Sequence, residues 1–301
     1  MKKAFTIMEF LLVIFVIGAL IAVLSVSVSN GAEAANGAKC LANMRSLAIA
    51  CQSYGMSAGG YPYAGSLQVF VKWSKETQTE AEHGWIACAS QTGEGGYISP
   101  YSDNKEERDH TLQDGQLWGC VEGGSSVFYC PAHASYARQR IKGLKYAPLW
   151  SYAMNAWFGW NSAGKGVKYR QAVPYTSTPH TDRILLFAEL PFREISLGSG
   201  AYKQTFSTST QASTANDPIL QYYQCVAGKG FEEIIGFNHR GAGKGYYANL
   251  VFADGHTEQL RLIERAQKQN LKELTRWLCR PDIRYDIGTR NNLYELVDAS
   301  K

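Results

Sequence analysis

Two carboxylates and two histidines in the second half of the chain have the side chains best suited to chemistry: Glu189, His239, Asp254 and His256. Acid and imidazole groups can together hold a metal ion or act as a general acid and base. Three of these four residues also have a structural explanation. Asp254 precedes Gly255 in a turn pattern and His256 follows it, whereas Glu189 ends an apolar run. The sequence has no phosphate-binding loop. We therefore expect no enzyme activity and no cofactor, with a structural Ca²⁺ as the alternative use of these groups.

Cysteine is the other residue type that could carry chemistry. The seven cysteines are Cys40, Cys51, Cys88, Cys120, Cys130, Cys225 and Cys279. None forms a C-x-x-C pair or a Cys/His cluster at zinc-finger spacing, so no metal site is predicted from them. In an oxidising compartment six could pair and one would remain free, and the sequence does not reveal the connectivity.

The composition is that of an ordinary globular protein, with 45% hydrophobic and 19% charged residues in a chain of 301. The net charge is only +4, and no block of Lys and Arg rises above the background, so nucleic-acid binding is not expected. The 18 Tyr and 29 Gly are typical of a loop-rich extracytoplasmic body.

The N-terminal segment predicts a membrane helix. No residue from Phe10 to Val28 is charged, and at 1.5 Å per residue this run spans roughly 28 Å, close to a bilayer core. Signal peptides have shorter apolar regions. Lys2 and Lys3 before the run predict a cytoplasmic N-terminus and a translocated body. Residues Ala32–Ala34 match the A-x-A pattern of signal peptidase, however, and cleavage there would release a secreted protein.

The segment AFTIMEFLLVIFVIGALIAV closely resembles the N-terminus of type IV prepilins and type II secretion pseudopilins. The resemblance implies that a prepilin peptidase cuts between Ala4 and Phe5 and methylates the new amine. Ala4 departs from the family, which has Gly there. Glu9 becomes the fifth mature residue, where the family's Glu pairs with the amine of a neighbouring subunit and sets the register of a filament. Alternatively, Glu9 lies at the membrane interface, favoured by the positive helix N-terminus.

Scattered motifs between residue 1 and about 262 also resemble a large subgroup of prepilin-like proteins. The matches are Cys40-x-x-Asn43-Met44-Arg45, Cys130-Pro131, Tyr152-x-x-Asn155, an apolar strand ending in Glu189, and His239 followed by Asp254-Gly255. The last spacing is longer than in the subgroup. The resemblance assigns no role to the His…Asp-Gly motif and implies no enzyme activity.

A helix is predicted to continue from the membrane onto a globular head. Its apolar stripe comprises Cys40, Met44, Leu47, Cys51 and Tyr54, at spacings of four, three, four and three. The polar face comprises Lys39, Asn43, Arg45 and Gln52. We expect Gly31 and Gly37 to make this helix locally more flexible, and Gly55 to end it.

In the head, residues 55–125 and 196–218 read as loops. Strands are predicted at 127–130 and 183–190, and a helix is predicted over 262–280, with Leu262 as its first apolar position. The stretch from Asn249 to Leu262 reads as a hairpin with an Asp-Gly-His loop, which would place Leu250 opposite Leu260 and Ala248 opposite Leu262.

A disulfide between Cys40 and Cys130 would tie stem to head and stabilise the fold by about 2–4 kcal/mol. Cys120 is an equally acceptable partner for either cysteine.

The expected fold is α+β and pilin-like, with a long N-terminal helix whose first half spans the membrane, packed on an antiparallel sheet head with loop insertions. The predicted segments are a leader at 1–4, a transmembrane half at 5–29, an extracytoplasmic stem half at 30–54 and the head at 55–301.

The predicted function is that of a structural, minor subunit of a type II secretion pseudopilus or type IV pilus-like filament. The expected partners are prepilin peptidase, other pilin-like subunits and the membrane, with no nucleic acid. The expected location is the inner membrane, single-pass with a periplasmic head, or outside the cell after assembly. The alternative is an anchored or secreted binding protein that stacks glycans on Trp and Tyr, or a hydrolase. Only the first function needs Glu9.

Overall fold

The computed structural model describes residues 6–66, 84–87, 99–158, 160–161, 178, 181–196, 203–204, 218–220, 234–241, 245–262 and 268–279. The helices are α1 (Ile7–Ala58), α2 (Lys105–Gln113), α3 (Pro131–Arg140) and α4 (Lys268–Cys279). The strands are β1 (Gly65–Ser66), β2 (Tyr152–Asn155), β3 (Trp160–Asn161), β4 (Leu185–Glu189), β5 (Ile195–Ser196), β6 (Lys203–Gln204), β7 (Ile219–Leu220), β8 (His239–Arg240), β9 (Tyr246–Phe252) and β10 (Thr257–Leu262).

Helix α1 is continuous over 52 residues. It begins with a capping box, in which the Thr6 hydroxyl accepts from the Glu9 backbone N–H and the Glu9 carboxylate accepts from the Thr6 backbone N–H. It ends at Gly59, which has the left-handed conformation (φ 76°) and donates its N–H to the Gly55 carbonyl. The predicted stop at Gly55 was therefore one turn early, because Gly59 supplies the left-handed cap.

The second half of α1 packs against the head, and the predicted apolar stripe is confirmed. Cys40, Met44, Leu47 and Cys51 are fully buried, and Tyr54 is half-buried. The predicted polar face is wrong at Asn43, which is also buried. Its side-chain amide compensates by donating hydrogen bonds to two backbone carbonyls of the head.

The expected membrane-spanning first half is not found. Within the residues that the structure describes, no helix combines the length and the apolar character needed to cross a bilayer. The second half of α1 carries Glu33, Lys39 and Arg45 and belongs to the head.

The main sheet is mixed, and the expectation of an antiparallel sheet is therefore wrong. Six strands pair in the order β10-β9-β4-β2-β7, with β8 also paired to β9. All pairs are antiparallel except β2 with β7, which run parallel. Strands β1 and β3 form a separate parallel pair, and β5 and β6 a separate antiparallel pair. The head is still a mixture of helices and sheet.

Strand β4 is buried at every position, as the continuous apolar run predicted. The β9–β10 hairpin exists, but its predicted register is shifted by two residues. Leu260 pairs with Ala248, and Leu250 pairs with Glu258. The loop is Ala253–Gly255, one residue earlier than expected, since the Phe252 N–H bonds the His256 carbonyl. A shift of two residues leaves each side chain on its expected face.

Three segments differ from the prediction for local reasons. The stretch predicted as a strand at 127–130 instead starts with the end of a 3₁₀ helix (Gly124–Phe128), whose N-cap Gly123 and first residue Gly124 both have positive φ. Pro131 then starts α3, where its missing N–H costs nothing. Helix α2 lies within residues 55–125, which were expected to be loop. The predicted C-terminal helix is confirmed as α4, although Leu262 belongs to β10.

Candidate metal centre

Four side chains from four separate elements meet beneath α1. Cys40 lies on α1, Cys130 is the N-cap of α3, Glu189 is the last residue of β4 and His239 is the first of β8. All four residues are fully buried. One ligand atom from each lies within 4.8 Å of the corresponding atom of every other.

The Glu189 carboxylate is the centre of this cluster, which we call the Cys-Glu-His cluster. Its Oε1 accepts from the Cys40 thiol (2.7 Å) and lies 2.7 Å from Nε2 of His239. Its Oε2 accepts from the backbone N–H of Asn249 at 2.9 Å. Cys130 Sγ lies 3.7 Å from His239 Nε2. Every donor atom therefore has a neighbour within the cluster.

The backbone that carries Cys130 is held from two sides. Asn43, one turn along α1 from Cys40, donates to the carbonyls of Ser126 and Tyr129 at 3.0 and 2.9 Å. The Cys130 N–H donates to the Ser151 hydroxyl at 2.8 Å. The helix that supplies one thiol thus also positions the segment that supplies the other.

Burial and charge act against each other in the cluster. Burial by itself would lower the pKa of His239, but the Glu189 carboxylate and the Cys130 sulfur raise it to about 11. Burial, followed by the contact with Cys130, raises the pKa of the Cys40 thiol well above its usual range. Burial also opposes ionisation of Cys130, yet its interactions with Cys40 and His239 outweigh burial and lower the pKa of this thiol to about 7. With its pKa raised in this way, His239 carries a positive charge at neutral pH beside the Glu189 carboxylate.

Aromatic residues close the cluster. Tyr247 of β9 stacks on the His239 ring, with centroids 5.3 Å apart. The Tyr247 hydroxyl lies against Gly37, where any Cβ would overlap it, so Gly37 serves a close approach and not the flexibility that the sequence suggested. Burial, and then the charges of Cys40 and Cys130, raise the pKa of the Tyr152 phenol, which lies beside the thiols.

The structure separates the four acid and imidazole residues that the sequence singled out. Glu189 and His239 are together in the cluster. Asp254 and His256 form their own pair at the β9–β10 turn, with His256 Nδ1 2.6 Å from Asp254 Oδ1. Gly255 takes the positive φ (91°) of that turn. The two halves of the His…Asp-Gly motif thus serve different places.

Sequence reasoning missed Cys40 and Cys130 as companions of Glu189 and His239. Cys40 and Glu189 are 149 residues apart in the chain, so no local spacing reveals the contact. The one available signal was the set of short motifs shared with the prepilin-like subgroup, because each of those four residues belongs to one of them.

Both cysteines of the predicted disulfide are free, although their sulfurs are neighbours. The structure contains no disulfide among Cys40, Cys51, Cys120, Cys130 and Cys279. Cys120 lies near Cys51, where its charge adds to the effect of burial in raising the pKa of the Cys51 thiol. The bridge between Cys40 and Cys130 stays a prediction.

The predicted processing site, Ala4 and Phe5, lies outside the described residues. Glu9 has a local partner, since its carboxylate caps α1 through the Thr6 N–H and hydroxyl at 2.8 and 2.9 Å. Its role in filament register stays a prediction.

The Cys-Glu-His cluster offers two thiols, an imidazole and a carboxylate to one point, which is a donor set suited to a metal ion. Its complete burial favours a structural use over turnover of a substrate. No family model, no curated protein and no solved structure matches this chain.

Proposed function

We propose that this chain is an assembly subunit, a minor one, of a pilin-like filament of the type II secretion or type IV pilus kind, released from its leader by prepilin peptidase before Phe5. The observation that carries the proposal is the unequal character of the two ends of α1. One end is buried in the head, and the other, from Ile7 to Ile21, exposes apolar side chains, with Glu9 as its one charged residue.

The exposed end needs a partner. From Ile7 to Ile21 the large apolar side chains are exposed on all sides of the helix, with Phe15 at 75%. Burying each such side chain is worth about 1.5–3 kcal/mol. A helix that is apolar all round must be covered on every side. The proposed cover is the same segment of neighbouring subunits, packed side by side.

Glu9 is the only acidic residue in this apolar segment. Within one chain, the positive N-terminal end of the helix stabilises the Glu9 charge. In the proposed filament, the amine of the next subunit stabilises it as well. Two substitutions separate these roles. Glu9→Gln keeps a side chain able to complete the capping box but removes the charge. Thr6→Ala removes the cap but keeps the charge.

If Glu9 sets the register, Glu9→Gln abolishes assembly while Thr6→Ala leaves it in place. Filaments sheared from cells and quantified by immunoblotting would show the difference. Loss of assembly in Thr6→Ala alone would assign Glu9 a capping role only.

The N-terminal mass of the protein from cells with and without active prepilin peptidase tests the whole proposal. An N-methylated Phe5 terminus that depends on the peptidase is expected. A terminus at Ala35 would overturn the proposal. The geometry at the A-x-A pattern disfavours that outcome, because α1 continues through it and Glu33 pairs with Arg193 of the head at 2.6 Å.

The inner-membrane location with a periplasmic head stays a prediction from the sequence. Cell fractionation combined with protease digestion of spheroplasts would test it, since a periplasmic head is digested without lysis.

A further inference from the structure

We propose that Cys40, Cys130, Glu189 and His239 form a structural Zn²⁺ site that joins the stem helix to the head. The proposal does not depend on the filament function. It rests on the meeting of four metal-binding side chains, fully buried, at one point.

The donor set selects the ion. Two thiolates and an imidazole favour Zn²⁺ over Ca²⁺ or Mg²⁺, which prefer oxygen ligands. Four protein ligands with no access for solvent match the closed, four-coordinate arrangement of structural zinc sites. The proposed cation is therefore Zn²⁺, where the sequence suggested a structural Ca²⁺ as the alternative.

The distances are close to what the ion needs. Bond lengths of about 2.0–2.3 Å in a tetrahedron place ligand atoms about 3.4–3.8 Å apart. Cys130 Sγ and His239 Nε2 already lie 3.7 Å apart. The two contacts of Glu189 Oε1, both 2.7 Å, would open by roughly 0.6 Å toward His239 Nε2 and roughly 0.9 Å toward Cys40 Sγ to admit the ion.

The surrounding groups fit a metal ligand set. The Asn249 N–H holds Glu189 through Oε2 and leaves Oε1 turned to the other donors. The Tyr247 ring fixes the plane of His239. On binding, the thiol protons and the His239 Nε2 proton leave to solvent, and two thiolates, a carboxylate and a neutral imidazole face the dication.

Zinc content is the first measurement. The full-length protein is purified under reducing conditions, loaded with Zn²⁺, desalted and measured by inductively coupled plasma mass spectrometry. About one equivalent is expected per chain. Cys40→Ser and His239→Gln each remove a direct ligand. Loss of a residue that only supports a ligand lowers metal affinity about 10–100-fold, so each of these variants should bind Zn²⁺ more than 100-fold more weakly.

Two variants serve as matched controls. Cys51 is a fully buried cysteine on the same face of α1, and His133 is a fully buried histidine outside the cluster. Cys51→Ser and His133→Gln should keep the zinc. If they lose it as readily as the cluster variants, the loss reflects unfolding, and the proposal falls unless the next measurement supports it.

The second measurement needs no substitution. Co²⁺ added to the metal-free native protein should give the thiolate-to-metal charge-transfer band of a two-sulfur site. In urea high enough to open the metal-free protein, Zn²⁺ should protect Cys40 and Cys130, but not the half-buried Cys120, from alkylation read by peptide mass spectrometry. Absence of the band, or equal alkylation with and without Zn²⁺, would overturn the proposal. So would a Cys40–Cys130 disulfide in protein isolated from its own compartment without reductant.

Discussion

Two acid–histidine pairs of almost equal length occupy different environments in this molecule. Glu189 and His239 are 2.7 Å apart with no exposed side-chain surface, whereas Asp254 and His256 are 2.6 Å apart with about a third of each side chain exposed. In the first pair, removal of either partner leaves a charge or dipole in a dry interior. In the second pair, water replaces a lost partner. Distance alone therefore does not rank such pairs, and burial does.

The largest expected effect comes from breaking the buried pair. In chelator-treated protein, Glu189→Ala should lower the free energy of unfolding by about 3–5 kcal/mol, because it strands the His239 imidazolium, the Cys40 thiol and the Asn249 N–H. Urea denaturation followed by circular dichroism measures it. A loss below about 1 kcal/mol would contradict the ranking by burial.

A third histidine sharpens the comparison, because it pairs with no acid among the residues that the structure describes. Within that part of the chain, His133 is hydrogen-bonded to the hydroxyls of Ser151 and Tyr101 and stacks on Phe192, and burial lowers its pKa from 6.5 to about 3. The unfolded chain therefore takes up the proton first as pH falls. The free energy of unfolding should fall below about pH 6.5, by up to about 1.4 kcal/mol per pH unit. This loss should reach roughly 3 kcal/mol at pH 4.

Urea titrations at several pH values, compared with His133→Gln, measure this effect. The difference between the two proteins isolates His133 from the carboxylates, which titrate in both. Parallel pH profiles would contradict the prediction.

Gly37→Ala tests the packing around the buried pair. The added methyl overlaps the Tyr247 hydroxyl and pushes the ring off His239, for an expected loss of about 1–3 kcal/mol. Gly31→Ala is the matched control in the same helix, with nothing within 4 Å of the new methyl. It should stabilise α1 by up to about 1 kcal/mol. Thermal unfolding compares the two, and a stabilising effect from both would be inconsistent with close packing at Gly37.

The smallest effect is expected at the exposed pair. Asp254→Ala removes the contacts to the His256 ring and backbone N–H, but both groups are reached by water, so the loss should stay below about 1 kcal/mol. Urea denaturation alongside Glu189→Ala provides the comparison. A loss as large as that of Glu189→Ala would show that burial is not the deciding variable.

The periodicity and hydrophobicity of short sequence segments correctly predicted three elements of the fold. The stripe from Cys40 to Cys51, the apolar strand β4 and the helix α4 all follow from periodicity and hydrophobicity. The hairpin was found but misregistered, because the positive φ of Gly255 falls at the last loop position and not at the second. The strand predicted at 127–130 failed because an aromatic pair can equally pack from a 3₁₀ turn.

Non-local features escaped prediction for a common reason. The parallel pairing of β2 with β7 joins residues some 65 positions apart, as in Met154 with Ile219, and leaves no sequence signature. The Cys-Glu-His cluster is assembled in the same way, from four elements that only the fold brings together. Glu189 and His239 were recognised as chemically capable, but only the shared short motifs connected them with Cys40 and Cys130.

The length of α1 has a mechanical consequence. From Gly31 to Ile7 the helix extends about 36 Å at 1.5 Å per residue, so a tilt of about 5° moves its tip by roughly 3 Å. The pivot of this lever lies where Glu33 meets Arg193 and Gly37 meets Tyr247. Contacts within two turns of the Cys-Glu-His cluster thus set the direction in which the apolar N-terminal end of α1 extends. A shift of a few tenths of an ångström at these contacts becomes a larger displacement at that end.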